Sequence, residues 1–118
     1  MSDVGKNLPE EYSDRFDRLR QNRVETSYYK YGSAKDNYGK GLCNALESHG
    51  LCIQKYKETG NTEYLLDAAN YLMFEFMYPQ QAGAYFKETG SSESAGISGT
   101  PAAQLGKGGY FDKIMENR

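Results

Sequence analysis

The sequence predicts an all-α fold, made of an N-terminal helix, a helical hairpin and an irregular C-terminal arm rich in glycine and serine. Between residues 8 and 78, apolar side chains recur at intervals of three to five residues, as in an amphipathic helix. Turn residues near Gly32 and at 59–62 divide this pattern into three helices. After Pro79 the period is lost, so we expect a helical domain over residues 1–79.

The first helix is predicted over residues 8–31. Its apolar side is formed by Tyr12, Phe16, Leu19, Val24, Tyr28 and Tyr31. Pro9 suits a first helical turn, and Glu10 and Glu11 lie where the helix dipole favours negative charge. We expect this helix to end near Gly32.

The second helix is predicted to begin between Ser33 and Gly41 and to run to Thr59. Its narrow apolar seam consists of Tyr38, Leu42, Ala45, Leu46, His49, Ile53 and Tyr56. His49 is therefore interpreted as a core or interface imidazole rather than a catalytic base. Gly60 has the position of a left-handed C-cap, and Asn61 or Thr62 can accept a hydrogen bond from the next helix. A tight helical hairpin follows.

The third helix is predicted over residues 63–78 and is apolar on most of its circumference. The apolar residues are Leu65, Leu66, Ala68, Ala69, Leu72, Met73, Phe74, Phe76 and Met77. Such a helix is normally buried, and three short helices cover it too little. We therefore expect a homo-oligomer, for example a dimer whose hairpins form a four-helix bundle. The alternative is that the C-terminal tail folds back over this helix.

The C-terminal arm, residues 80–109, has a composition that buries too little apolar surface to offset the entropy of ordering. We expect it to be flexible or irregular. Residues 110–118 are predicted to form a short terminal helix with an apolar side.

Composition also limits location and partners. The 118 residues contain no apolar run near the roughly 18 residues of a membrane span, so no membrane partner is expected. The first residues lack the apolar core of a secretory signal, and the two cysteines are too few for a disulfide scaffold. These features predict a cytoplasmic protein. Its net charge of -2 gives no overall attraction to nucleic acid.

A polar stripe on the third helix is the first candidate site. Glu63, Asp67 and Asn70 fall within about 60° of one another on a helical wheel. A buried carboxylate needs a partner, and hard oxygen ligands at this spacing would suit magnesium. In the alternative, Asp67 pairs with an arginine of the first helix and sets the helix register. The arginines in reach are Arg15, Arg18, Arg20 and Arg23.

A basic, tyrosine-rich segment is the second candidate. This segment has seven basic and four acidic residues, which gives a local net charge of +3. The basic residues are Arg15, Arg18, Arg20, Arg23, Lys30, Lys35 and Lys40, and the acidic ones are Asp14, Asp17, Glu25 and Asp36. Tyrosines interleaved with lysines can stack on bases while the lysines pair with phosphates. Tyr28 and Tyr31 also belong to the apolar face, so a structural role competes with nucleic-acid contact. The binding candidates are Arg18, Tyr28, Tyr29, Lys30, Tyr31 and Tyr85.

The segment TGNTEYLLDAANYLMFEFMYP at residues 59–79, followed by GAYF at 83–86, resembles a family of small phage and prophage proteins. The KYG at residues 30–32 and the helix leading into KYKETGN fit the same pattern. The resemblance covers about residues 20–95. It implies a viral or prophage origin and no established activity.

More distantly, the chain is similar to all-α nucleotide pyrophosphohydrolases. That resemblance implies that Asp67 is a metal ligand, Asn70 a polar support and Lys30 a phosphate contact. The paired glutamates that hold magnesium in that superfamily have no counterpart in this sequence, because the second helix offers only Glu47 and Glu58. The resemblance therefore implies a scaffold that has lost activity.

The function we expect is that of a phage-encoded, non-enzymatic binding protein without a cofactor, acting in the host cytoplasm. It would occlude a host protein or nucleoprotein, for example as an inhibitor of host defence. This expectation comes from the phage resemblance and not from individual residues. The alternatives are a magnesium-dependent nucleotide pyrophosphohydrolase-like protein and a phage structural or assembly component.

Overall fold

The computed structural model describes residues 5–90, 92–93 and 95–105. It confirms the all-α fold, because those residues contain helices and no strand. The helices are α1 (Leu8–Glu11), α2 (Asp14–Tyr31), α3 (Ala34–Asn37), α4 (Ala45–Thr59) and α5 (Glu63–Met77), followed by a 3-10 helix at Ala102–Gln104. The chain divides into two compact units, and the division falls between Ala84 and Tyr85.

The prediction of one continuous helix over residues 8–31 was wrong at Tyr12 and Ser13. Tyr12 is extended, with φ -133° and ψ 147°. The Ser13 hydroxyl accepts a hydrogen bond from the Phe16 backbone N–H at 3.0 Å, which begins α2 at Asp14. A serine that caps a new helix competes with continuing the preceding one. The predicted end near Gly32 is confirmed, because α2 ends at Tyr31.

The predicted start of the second helix was also wrong. Ser33 caps only the four-residue α3, and the long helix α4 begins at Ala45. The Asn44 side chain caps α4 by accepting from the Glu47 N–H at 3.0 Å. Gly39 lies in the intervening loop, where a Cβ atom would come within 2.3 Å of the Lys35 carbonyl oxygen. A side chain at Gly39 would therefore collide with the backbone of α3.

The predicted hairpin between α4 and α5 is confirmed. Gly60 has the left-handed φ of +75° and donates its N–H to the Tyr56 carbonyl at 2.7 Å. The Asn61 side chain accepts from the Glu63 N–H at 3.0 Å, where α5 begins. The Thr59 hydroxyl accepts from the Asn61 N–H and donates to the Lys55 carbonyl. Local hydrogen bonds thus support this turn.

Helix α5 is the centre of the first unit, since it packs against both α4 and α2. Its buried residues are Ala68, Asn70 and Phe74. Leu72, Phe76 and Met77 remain 47%, 75% and 51% exposed. A single chain therefore covers only part of the apolar circumference, and self-association stays a prediction.

The second unit begins at Tyr85. In its described residues the only regular element is the 3-10 helix at Ala102–Gln104, and Lys87 Nζ lies 3.9 Å from Glu93 Oε2. The terminal helix predicted over residues 110–118 falls outside the described residues. Across the part of the chain that the structure describes, no helix combines the length and the apolar character needed to cross a bilayer.

Candidate functional site

The acidic stripe of α5 faces α2 and meets an arginine there. Arg23 Nε lies 3.0 Å from Asp67 Oδ1, and Arg23 Nη2 lies 3.1 Å from Asp67 Oδ2. This two-point geometry is the strong form of an arginine–carboxylate pair. Glu63 Oε1 is 3.7 Å from Arg23 Nη1, and its side chain is half exposed. Hydrogen bonding to Asp67 raises the pKa of Arg23 above its ordinary value, so the guanidinium stays charged.

Asn70 is the third member of the stripe and the most buried, with 5% of its surface exposed. Its Nδ2 donates to the Arg20 carbonyl of α2 at 2.9 Å. Its Oδ1 is buried and has no hydrogen-bond partner among the residues that the structure describes. Such an unsatisfied acceptor costs about 1 to 3 kcal/mol. Asn70 therefore links α5 to α2 through Nδ2, whereas its Oδ1 makes no hydrogen bond to the described residues.

A metal ion held by this stripe would need a further ligand besides Glu63 and Asp67. Within residues 5–90, 92–93 and 95–105, no three His, Cys, Asp or Glu side chains form a group that could hold a metal ion. The structure brings Glu63 and Asp67 to the same arginine. Arg20, also considered as a partner of Asp67, pairs instead with Asp17 of its own helix at 3.0 Å.

His49 lies at the interface of α4 and α5, as its place in the apolar seam predicts. Its Nδ1 is 2.9 Å from the Ala68 carbonyl oxygen, and Ala68 is 2% exposed. With the proton on Nδ1, the imidazole donates this bond. His49 thereby joins the two helices of the hairpin.

The tyrosines at the C-terminal end of α2 are exposed. Tyr29 is 83% exposed and packs edge-on against Tyr28, with ring centroids 5.5 Å apart. Tyr31 is 63% exposed, and Lys30 Nζ lies 5.0 Å from the centre of its ring. Arg18 is exposed too and lies eleven residues before Tyr29, which puts both on one face of the helix. Tyr28 to Tyr31 are consecutive and lie around the last turn of the helix; together with Arg18 we call these exposed residues the α2 surface: Arg18, Tyr28, Tyr29, Lys30 and Tyr31.

Part of the positive charge near this surface is compensated. Arg20 pairs with Asp17, Arg23 with Asp67 and Lys40 with Asp36. Tyr85 belongs to the second unit and is 84% exposed. Three of the seven basic side chains counted in the sequence are thus engaged by carboxylates, which reduces the charge available to phosphate groups.

Sequence reasoning missed an aromatic cluster. Tyr38 stacks on Phe74 with centroids 4.8 Å apart, and Tyr71 meets both rings edge-on at 6.4 Å. Burial raises the pKa of Tyr38 to about 12, and burial is also the main cause that raises the pKa of Tyr71. Tyr38 follows α3, so only the path of the loop brings it to α5. The sequence signal for the cluster was the spacing of Tyr71 and Phe74, which places both rings on one side of α5.

No protein-family model, no curated protein and no solved structure matches this chain. The likeness to small phage proteins and the more distant likeness to nucleotide pyrophosphohydrolases therefore stay predictions from the motifs quoted above.

Proposed function

We propose that this protein is a non-enzymatic binding protein that occludes a partner protein through the α2 surface. The single observation that carries the proposal is the exposure of Tyr29, 83% of whose surface is open although it lies in the middle of a tyrosine cluster. Tyrosine offers a large amphipathic contact area at a low cost in side-chain entropy, and it is enriched at binding hot spots.

The side chains of the α2 surface indicate what kind of partner it would bind. Its rings have contacts before binding, since Tyr28 and Tyr29 pack edge-on and Lys30 lies over Tyr31. Pre-arranged rings lose little freedom when a partner docks. Arg18 and Lys30 add positive charge, so we propose a partner whose contact site is apolar with an acidic rim.

The phage resemblance supports a host protein as that partner, and inhibition of a host defence protein is the role we propose. Exposed Tyr85 supplies a second contact in this proposal, because a binding protein with two aromatic anchors gains affinity from each. No reaction of the chain is part of this proposal.

The test begins with the tagged full chain and a host-cell extract. Each recovered protein is purified, and its affinity for the wild type is measured by isothermal titration calorimetry. We expect Tyr29→Ala to weaken binding of the true partner at least tenfold, which corresponds to about 1.4 kcal/mol. Tyr29→Phe should retain most of the affinity, since the ring supplies most of the contact area.

The control is Leu51→Ala, which removes another exposed apolar side chain, 65% exposed against 83% for Tyr29, from α4. It should bind the partner as the wild type does. If Tyr29→Ala keeps wild-type affinity for every host protein recovered, the α2 surface is not a protein-binding site and the proposal is wrong.

A further inference from the structure

One side of the α4–α5 hairpin carries a continuous set of apolar side chains. On α5, residues 65, 69, 72 and 76 follow one another at intervals of four, three and four, which aligns them in one stripe. On α4, residues 46 and 53 are seven apart and share one side of the helix. No residue of either stripe is charged. We call these six residues the hairpin face: Leu46, Ile53, Leu65, Ala69, Leu72 and Phe76.

The hydrogen bond between His49 and the Ala68 carbonyl joins the two stripes into one surface. It sets residue 49 of α4 opposite residue 68 of α5 in the antiparallel hairpin. One turn from this bridge towards the start of α4 lies residue 46, and level with it on α5 lies residue 72. One turn the other way lie residues 53 and 65. The side chains paired in this way are Leu46 with Leu72 and Ile53 with Leu65.

Helix α2 packs on the opposite side of the hairpin. Asp67 and Asn70, which bond to α2, lie roughly 130° to 170° around α5 from the middle of its apolar stripe. The hairpin face stays open in the single chain, because Leu46, Leu72 and Phe76 each leave about half or more of their surface exposed. An apolar surface of this kind marks an interaction site.

A second copy of the chain fits this surface because the hairpin is already half of a four-helix bundle. Each pair of level residues supplies two of the four apolar corners of a bundle layer. A copy turned by 180° about an axis parallel to the helices keeps every residue at its level and places α4 of one chain against α5 of the other. Leu46 and Leu72 of both copies then complete one layer, and Ile53 and Leu65 complete the next. Since the hairpin face has no charge, identical copies meet without like-charge repulsion.

The extent of the hairpin face agrees with a dimer. Helices α4 and α5 each have 15 residues, which gives a length of about 22 Å, and two helices side by side are about 20 Å wide. Two such faces hide roughly 900 Å² before the relief of the side chains is counted, close to the roughly 1,000 Å² at which specific interfaces begin. The first unit also has little core of its own, since the buried apolar residues in the described part of the chain are Ala45, Ala68 and Phe74. Covering the hairpin face enlarges that core.

We propose that the hairpin face is the interface of a homodimer, in which α4 and α5 of two chains form an antiparallel four-helix bundle. Helix α2 lies on the other side of each hairpin, so both α2 surfaces stay open in this dimer. The dimer and the proposed partner contact use different residues, and each proposal can fail without the other.

Sedimentation equilibrium of the full chain over roughly 1 to 100 μM tests the dimer, because a small interface is expected to have micromolar affinity. We expect a monomer–dimer equilibrium, and Leu46→Glu and Leu72→Glu should each weaken it at least tenfold, since each buries an unpaired carboxylate. The matched control is Leu51→Glu, the same change at an exposed leucine about 140° around α4 from Leu46. It should keep the wild-type dissociation constant.

A wild type that is monomeric at every concentration would leave the hairpin face to another occupant and overturn the proposal. An assembly larger than a dimer, or a loss for Leu51→Glu as large as that for Leu72→Glu, would overturn it too. Circular dichroism shows whether each variant folds. If Leu72→Glu does not, Phe76→Glu replaces it, because this ring is 75% exposed in the single chain, and the same tenfold loss is expected.

A mixing experiment tests the arrangement of the two chains. Leu46→Lys alone, or Leu72→Glu alone, places two like charges in one layer of the dimer. An equal mixture of the two variants brings the new ammonium of one chain against the new carboxylate of the other, so it should associate at least tenfold more tightly than either variant by itself. Native mass spectrometry with one variant tagged measures the mixed dimer. No gain on mixing would overturn the packing of α4 against α5 of the second copy.

Discussion

Helix α5 is held on its two sides in different ways. Towards α4 the contact is a hairpin, closed by the turn at Gly60 and bridged by the hydrogen bond of His49 to the Ala68 carbonyl. Towards α2 the contact joins parts of the chain more than forty residues apart, through the Arg23–Asp67 pair and the Asn70–Arg20 hydrogen bond. Helix α5 makes more of its contacts with α4 than with α2, and the larger of two open volumes, about 600 Å³ against about 490 Å³, lies beside α2.

The difference follows from how far apart along the chain the packed helices are. A short turn brings α4 and α5 together at little cost in loop entropy, so few directional bonds are needed to position them. Helix α2 has no such turn against α5, and the directional bonds of Arg23 and Asn70 set its position. Directional bonds fix register without filling space, so they can hold α2 in place beside an open volume.

The largest expected effect comes from breaking the α2–α5 pair. Asp67→Ala should lower the free energy of unfolding by about 1 to 3 kcal/mol, because it leaves the part-buried guanidinium of Arg23 without its partner. Urea denaturation measures this. The double variant Arg23→Leu/Asp67→Leu should lose less than Asp67→Ala alone. An unchanged melting temperature for Asp67→Ala would contradict the interpretation that this pair sets the helix position.

Replacing glycine by alanine should change the free energy of unfolding in opposite directions in the hairpin turn and within α4. Gly60→Ala should cost about 1 kcal/mol, since Gly60 has a φ of +75° that alanine adopts with strain. Gly50→Ala in α4 should add up to about 1 kcal/mol, because Gly50 lies within a helix and a Cβ there meets nothing within 4 Å. Paired urea denaturation curves check both. The same sign at both positions would be inconsistent with a left-handed cap at Gly60.

Breaking the His49 hydrogen bond between α4 and α5 should lower the free energy of unfolding less than breaking the Arg23–Asp67 pair does. His49→Leu removes the hydrogen bond to the Ala68 carbonyl but keeps an apolar side chain in the seam, so we expect a loss of about 1 kcal/mol or less. Thermal unfolding at neutral pH is the measurement. A loss larger than that of Asp67→Ala would reverse the comparison between the two sides of α5.

The smallest effect is confined to alkaline pH. Burial raises the pKa of Tyr38 from 10.0 to about 12 in the folded state, so the unfolded state loses this proton first. The contribution of Tyr38 to the free energy of unfolding is fully present below pH 10 and is lost as the pH rises towards 12. Tyr38→Phe should therefore match the wild type at pH 8 and exceed it at pH 11 by roughly 0.5 to 1 kcal/mol, allowing for screening by solvent.

Urea denaturation at the two pH values checks this difference. A variant that is no more stable than the wild type at pH 11 would contradict the assignment of a buried, neutral Tyr38 to the aromatic cluster.

Much of the helical architecture was predictable, since its signals are local. The ends of α2 and α4 follow from Gly32 and Gly60, and the start of α5 follows from Asn61. The break at Ser13 and the late start of α4 at Ala45 were missed. At both places a capping side chain prevailed over the apolar period, because one satisfied helix start outweighs a weak hydrophobic pattern.

The candidate site was predictable only in part. The clustering of Glu63, Asp67 and Asn70 follows from helical spacing alone, and so does the need of Asp67 for a partner. That Arg23 fills this role, among four arginines of similar spacing, depends on the angle at which α2 crosses α5. The unpaired Oδ1 of Asn70 has no signature in the sequence, because its burial depends on neighbours distant along the chain.

The sequence by itself therefore determined the helices, the hairpin turn and the presence of an acidic stripe, because hydrogen bonds and periodicity act over a few residues. Only the tertiary structure decided which arginine meets that stripe, how Tyr38 joins Tyr71 and Phe74, and where a cavity remains. These features depend on how separate helices approach one another, and that approach is set by the packing of the first unit as a whole.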